Sequence, residues 1–144
     1  MSRAGWRLAL LVLGAVACQD TTSRFTPELQ RRFATEDIVR EAADQLFRYT
    51  WYSRGSGTTR WEERDASIIV TRQTVFIHKN EKVGLEIRRG GRGKHDVRRD
   101  GTRVIVGSGS GKSRVSWSFA PPDDADGWVR DIRAIIQGDS TGAE

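Results

Sequence analysis

The chain has 144 residues, 24 Lys+Arg against 19 Asp+Glu, a net charge of +5 and 37% hydrophobic residues. That suits one modest globular domain with an appendage. One cysteine, Cys18, and two histidines, His78 and His95, exclude an intramolecular disulfide framework and a multi-cysteine zinc site. No apolar run reaches the roughly 18 residues of a spanning helix.

In chain order, the first element is an export signal. Arg3 and Arg7 precede the apolar run Leu8–Val16, too short to span. Ala15, Val16 and Ala17 then lead into Cys18. This segment resembles the lipobox of bacterial lipoproteins, with Ala15 where most members carry Leu. The resemblance implies cleavage before Cys18, diacylation of its thiol and, because Gln19 rather than an acid follows, an outer-membrane address facing the periplasm. The ordinary alternative is a secretory peptide cut near Ala17, with Cys18 an incidental thiol. Removing residues 1–17 leaves 127 residues, and Asp20–Arg24 reads as a polar tether within an 18–25 linker.

Residues 26–48 read as helical. Thr26-Pro27 can start a short helix, with Leu29 and Phe33 four apart. Thr35 is positioned to cap a second helix, since Ile38, Val39, Ala42, Ala43, Leu46 and Phe47 repeat at helical spacing.

From about Thr50 the period becomes two. Ile68/Val70, Val75/Ile77, Val83/Leu85/Ile87, Val104/Val106 and Val115/Trp117/Phe119 alternate with polar residues. Turn signals stand at Arg72-Gln73, Asn80-Glu81, Gly90-Gly91, Asp100-Gly101 and the 107–111 tract. Six or seven short antiparallel strands follow, near the number that closes a small barrel. Pro121-Pro122 ends the last strand. Asp123, Asp124 and Asp126 favour a helix start. Trp128, Ile132, Ile135 and Ile136 make an apolar stripe, Gly138 ends it, and 138–144 is a polar tail.

This order resembles pleckstrin-homology-like domains. Ala66–Ile77 is similar to a hairpin of their bacterial members, and Trp117–Ile136 to their last strand and closing helix, with Trp128 at the position that plugs the barrel corner. The resemblance implies a mainly β fold over 49–137: a small antiparallel barrel of about seven strands closed by a C-terminal helix. It also implies a binding scaffold for membrane lipids or proteins.

Catalytic motifs fail on inspection. Gly107–Ser113 (GSGSGKS) misses the phosphate loop because Val106 stands where glycine is required, and it reads as a hairpin loop. Pro122–Gly127 lacks the end carboxylates of a calcium loop. His78 shares a strand face with Phe76 and lacks spaced partners, and no serine sits in a nucleophile elbow. No enzyme activity, metal or cofactor is expected.

The remaining candidate is basic. Arg88, Arg89, Arg92, Lys94, Arg98 and Arg99 crowd a Gly-rich stretch opposed only by Asp96 and Asp100. Such a patch could hold anionic lipid headgroups or an acidic envelope protein, or simply be a solvated strand face and loop. Nucleic acid is disfavoured by the export signal. The expectation is a cell-envelope protein, membrane-anchored through acylated Cys18, acting as a non-enzymatic binding or scaffold module. The alternative is a small-barrel carrier of a lipid or other apolar ligand. Trp51, Trp61, Phe76, Trp117, Phe119 and Trp128 are expected to fill the interior.

Overall fold

The computed structural model describes residues 25–79 and 82–138. The expectations for the signal segment, Cys18 and the 139–144 tail lie outside the described residues.

Helix α1 spans Pro27–Glu36. Thr26 caps it, its hydroxyl accepting from the Leu29 N–H at 3.4 Å, and Pro27 occupies the first turn, where no N–H is needed. Phe33 is fully buried.

The expected second helix does not form. Ile38–Ser53 is instead strand β1, paired with β2 (Thr58–Thr71). The physical reason is a pair of bulges. From Ile38 to Arg40 the chain advances two residues while its partner advances one, and from Ala42 to Gln45 three against two. Each extra residue shifts the phase of the alternation. Asp37 and Asp44 take the positive φ values of 61° and 51° beside these irregularities. A strand interrupted twice thus imitates a spacing of three to four. Thr35 caps nothing: its hydroxyl donates to the Arg31 carbonyl at 2.9 Å inside α1.

The remaining elements follow the expected punctuation: β3 (Thr74–Lys79), β4 (Lys82–Arg88), β5 (His95–Asp100), β6 (Arg103–Ser108), β7 (Val115–Phe119) and α2 (Ala125–Gln137). The seven strands form one antiparallel sheet in the order β4-β3-β2-β1-β7-β6-β5, curled into a half-barrel. β1 and β2, at 16 and 14 residues, are not short. They form a long ribbon whose far part projects past β3.

The concave face carries Phe47, Ile68, Val70, Val75, Ile77, Ile87, Val104, Val106, Trp117 and Phe119, closed by Trp128, Val129, Ile132 and Ile135 of α2. Asp124 caps α2 by accepting from the Gly127 N–H at 3.1 Å, and Gly138 ends it in a left-handed conformation. The Trp128 ring meets Phe119 edge-on at 5.2 Å. Arg40, on the bulged start of β1, reaches Asp131 (2.5 Å) and Asp124 (3.3 Å) of α2 and lies 5.7 Å from the Trp128 ring.

A second cluster covers the convex side. Phe25, Leu29 and Phe33 pack on Ile69 and Phe76 of β2 and β3. Phe76 is therefore buried outside the half-barrel, under α1, rather than within it. Trp61 departs further from expectation, being 57% exposed. No helix among the described residues is long and apolar enough to cross a membrane.

Candidate functional site

The residues of the basic stretch fall on β4, the loop after it and β5. Residues alternate across β5, so Val97 points inward and Arg98 outward. Arg99 donates to Asp126 of α2 at 2.8 Å and to the Gly101 carbonyl at 2.7 Å. Arg89 donates to the Arg72 carbonyl (2.8 Å) and the Ala134 carbonyl of α2 (3.1 Å). These two arginines fasten the sheet to its closing helix. Arg88 pairs with Glu86 at 3.1 Å, and Arg98 lies 3.9 Å from Asp100. Arg92 and Lys94 are exposed on the loop between β4 and β5. The six residues named from sequence are thus spread over the end of β4, the β4–β5 loop and β5, and two of them, Arg89 and Arg99, contact α2.

The histidines lie on different strands, β3 and β5. His78 is buried against Phe25, ring centroids 4.2 Å apart. Burial lowers the His95 pKa, with Asp96 pulling the other way. Among the described residues no group of three His, Cys, Asp or Glu side chains gathers in a way that could hold a metal ion. Gly107 and Ser108 of the GSGSGKS tract end β6, and the rest connects that strand to β7 through a 3-10 turn at Gly111–Ser113, so the tract forms the loop of a hairpin and the residues that end its first strand.

Three charged constellations were not legible in the sequence. Arg32 of α1 meets Glu36 (2.9 Å) and Glu86 of β4 (2.6 Å) and donates to the Thr74 hydroxyl at 3.0 Å. Burial pushes the Glu36 carboxyl up, but hydrogen bonds from Thr71 and Arg32 outweigh it and hold it below the ordinary range. Glu86 behaves likewise, through Arg32 and Arg88. The second constellation is Arg40 with Asp124 and Asp131. In the third, Arg114 donates to both oxygens of Asp96 at 2.5 and 2.9 Å, which lowers that carboxyl's pKa. This bridge crosses Gly107, where an added Cβ would collide with both partners.

The β1–β2 ribbon carries cations on aromatic rings on both faces. On its concave side Tyr49 stacks with Trp51 (5.4 Å), and Arg64 lies 4.1 Å from the Tyr49 centroid and 5.8 Å from Trp117. Arg64 also pairs with Glu62. On the convex side Arg48 covers Trp61 at 4.5 Å, and the Lys112 ammonium lies 5.5 Å from the Tyr52 ring. The sequence signal was the run Phe47-Arg48-Tyr49-Thr50-Trp51-Tyr52, too aromatic for one buried face.

Two grooves result. One, of about 380 Å³, lies between α2 and the β2–β3 turn, bounded by Val39, Arg72, Gln73, Arg89, Asp131 and Ala134. The other, of about 340 Å³, lies between the ribbon and the β6–β7 connection, bounded by Thr50, Tyr52, Thr59, Lys112, Arg114 and Ser116. Both are of ligand-binding size. Comparison with protein-family models, curated proteins and solved structures gives no match.

Proposed function

We propose that this chain is a lipid-anchored protein of the bacterial cell envelope, with a pleckstrin-homology-like domain serving as a non-enzymatic binding module. The observation that carries the module reading is the filling of the half-barrel. Phe47, Trp117, Phe119 and Trp128 occupy its concave side, all 2% exposed or less. The grooves lie at the rim and on the convex side, bordered by charged side chains. Such a molecule presents surfaces, whereas a carrier of an apolar ligand needs interior space. The pleckstrin-homology-like reading draws support from the strand order and from the single closing helix with its inward Trp128.

The anchor reading rests on Arg3, Arg7, the apolar run and Cys18. Each acyl CH₂ placed in the bilayer contributes about 0.8 kcal/mol, so two chains hold a small domain firmly. Phe25 stands seven positions after Cys18, a reach of at most about 25 Å. The domain would therefore sit close to the membrane surface, tethered at the face that α1 covers.

Cys18→Ser tests the anchor. Wild type should incorporate a labelled fatty acid and partition with envelope membranes. The variant should do neither and should accumulate as precursor. Normal processing and membrane partitioning of the variant would overturn the reading.

A further inference from the structure

The far part of β2 has a neighbour on one side only. β1 accompanies β2 as far as Thr58, whereas β3 pairs only with Ser67–Val70. Among the described residues no strand lies against the outer side of Thr58–Asp65. All of this stretch is exposed except half-buried Arg64. In an antiparallel ladder alternate residues turn their N–H and C=O to opposite sides. Every second residue here therefore offers an unpaired donor and acceptor outward, a template for another strand. The ends of the sheet are different. Helix α2 packs beside β4 and β5, fastened by Arg89 and Arg99.

The side chains on this edge select its partner. Edge strands are commonly blunted by lysine or proline, and Thr-Thr-Arg-Trp-Glu-Glu-Arg-Asp has neither. Its charges are mixed in sign, so they discriminate between registers instead of repelling every strand. Two copies related by a two-fold axis pair antiparallel, with one residue opposite itself. Registers centred on Arg60, Glu62, Glu63, Arg64 or Asp65 oppose like charges at the axis. Those centred on Thr58 or Thr59 pair only the first few residues. The register centred on Trp61 spans Thr58 to Arg64 and opposes no like charges. It sets Arg60 opposite the partner's Glu62, and Glu62 opposite the partner's Arg60. It also sets Thr59 opposite the partner's Glu63.

The groups are available for this pairing. Arg60 is exposed and makes no ion pair among the described residues. Glu62 accepts from Arg64 through Oε1 and is 45% exposed, which leaves Oε2 for a second guanidinium. Arg48 lies over the Trp61 ring at 4.5 Å, yet Trp61 remains 57% exposed. Cross-strand aromatic pairs and opposite charges are the contacts that stabilise adjacent strands.

We propose that two copies of this chain join edge to edge through Thr58–Asp65 of β2, extending both sheets into one, in the register centred on Trp61. Two such edges bury less than a standard interface of about 1,600 Å², so the dimer is reversible. This self-association goes beyond the binding-module reading and depends neither on it nor on the anchor. Failure of dimerisation and failure of Cys18 lipidation are separate results.

The test is sedimentation of the purified full chain in a mild detergent over a micromolar to millimolar series. Wild type should pass from monomer to dimer. Arg60→Glu places acid opposite acid at both symmetric positions, and Glu62→Arg places base opposite base. Each variant alone should dimerise at least about tenfold more weakly, since two attractive pairs become two repulsive ones. Mixed in equal amounts, the two variants should regain dimers, because every base again meets an acid. A misfolded variant could not give that recovery. Val83→Lys, at an exposed position of β4, should leave the dimer unchanged. In wild type, amide exchange within Thr58–Asp65 should slow as the dimer forms. A wild type that stays monomeric, variants that dimerise as wild type does, a mixture no better than either variant alone, or exchange in this stretch that ignores dimerisation would each overturn the proposal.

Discussion

Gly107 shows what a missing side chain does for this molecule. It sits in β6 opposite Asp96 of β5 and Ser116 of β7. Its bare Cα lets the Arg114 guanidinium lie flat across the sheet and reach Asp96 with two hydrogen bonds. Because both partners are partly exposed, with side-chain exposures of 40% and 45%, the bridge contributes at most about 1 kcal/mol. Gly107→Ala is expected to open it. The Asp96 carboxyl, held low first by its hydrogen bonds from Arg114, should then titrate closer to the ordinary range. Carboxyl chemical shifts followed against pH would show this. An unchanged Asp96 titration would mean that Arg114 is not its controlling partner. Gly84 plays a related part: a Cβ there would meet the Trp117 ring at 2.8 Å, so the indole lies directly on the β4 backbone.

Among the elements, α1 is the one attached most locally. Its hold on the sheet combines the edge-on ring cluster of Phe25, Phe33 and Phe76, at 5.2 to 5.4 Å, with the Arg32–Glu36–Glu86 group. Both carboxyls have pKa values below the ordinary range, because hydrogen bonds and ion pairs outweigh burial. A carboxyl lowered in the folded state stabilises the fold above its ordinary pKa. That contribution fades as pH falls through the ordinary carboxylate range toward the lowered values. On acidification α1 should therefore loosen before the half-barrel melts, exposing Phe25 and Phe33. A rise in binding of a hydrophobic dye with intact tryptophan emission would report it. Arg32→Ala should move that transition to higher pH. If wild type and variant behave alike, the helix is held by its aromatic contacts alone.

At the scale of the whole molecule, stability depends on closing a half-barrel whose edge strands, β4 and β5, are not paired to each other. Helix α2 closes it. Trp128 is 2% exposed and its Nε1 finds no hydrogen-bond partner among the described residues, so its contribution is one of packing. Trp128→Ala should cost about 3–5 kcal/mol in denaturant unfolding. Trp128→Phe should cost less. An unchanged midpoint for the alanine variant would show that α2 is not part of the cooperative core.

Much of this architecture was readable from local pattern. Alternation marked the inward residues of β2, β3, β4, β6 and β7, and acids, an apolar stripe and a glycine bounded α2, because period and capping are properties of neighbouring residues. Thr26 and Pro27 marked α1 for the same reason. The nature of β1 was not readable, since two bulges gave a strand the spacing of a helix, and only pairing with β2 and β7 identifies it. Nor could the sequence divide its arginines. Arg89 and Arg99 fasten a helix, Arg114 bridges over a glycine, Arg48 lies on an indole, and all look alike along the chain. An arginine's role depends on which carboxylate, carbonyl or ring lies across the sheet. Those distances are set by strand register and by the curl of the half-barrel, not by the residue's own neighbours.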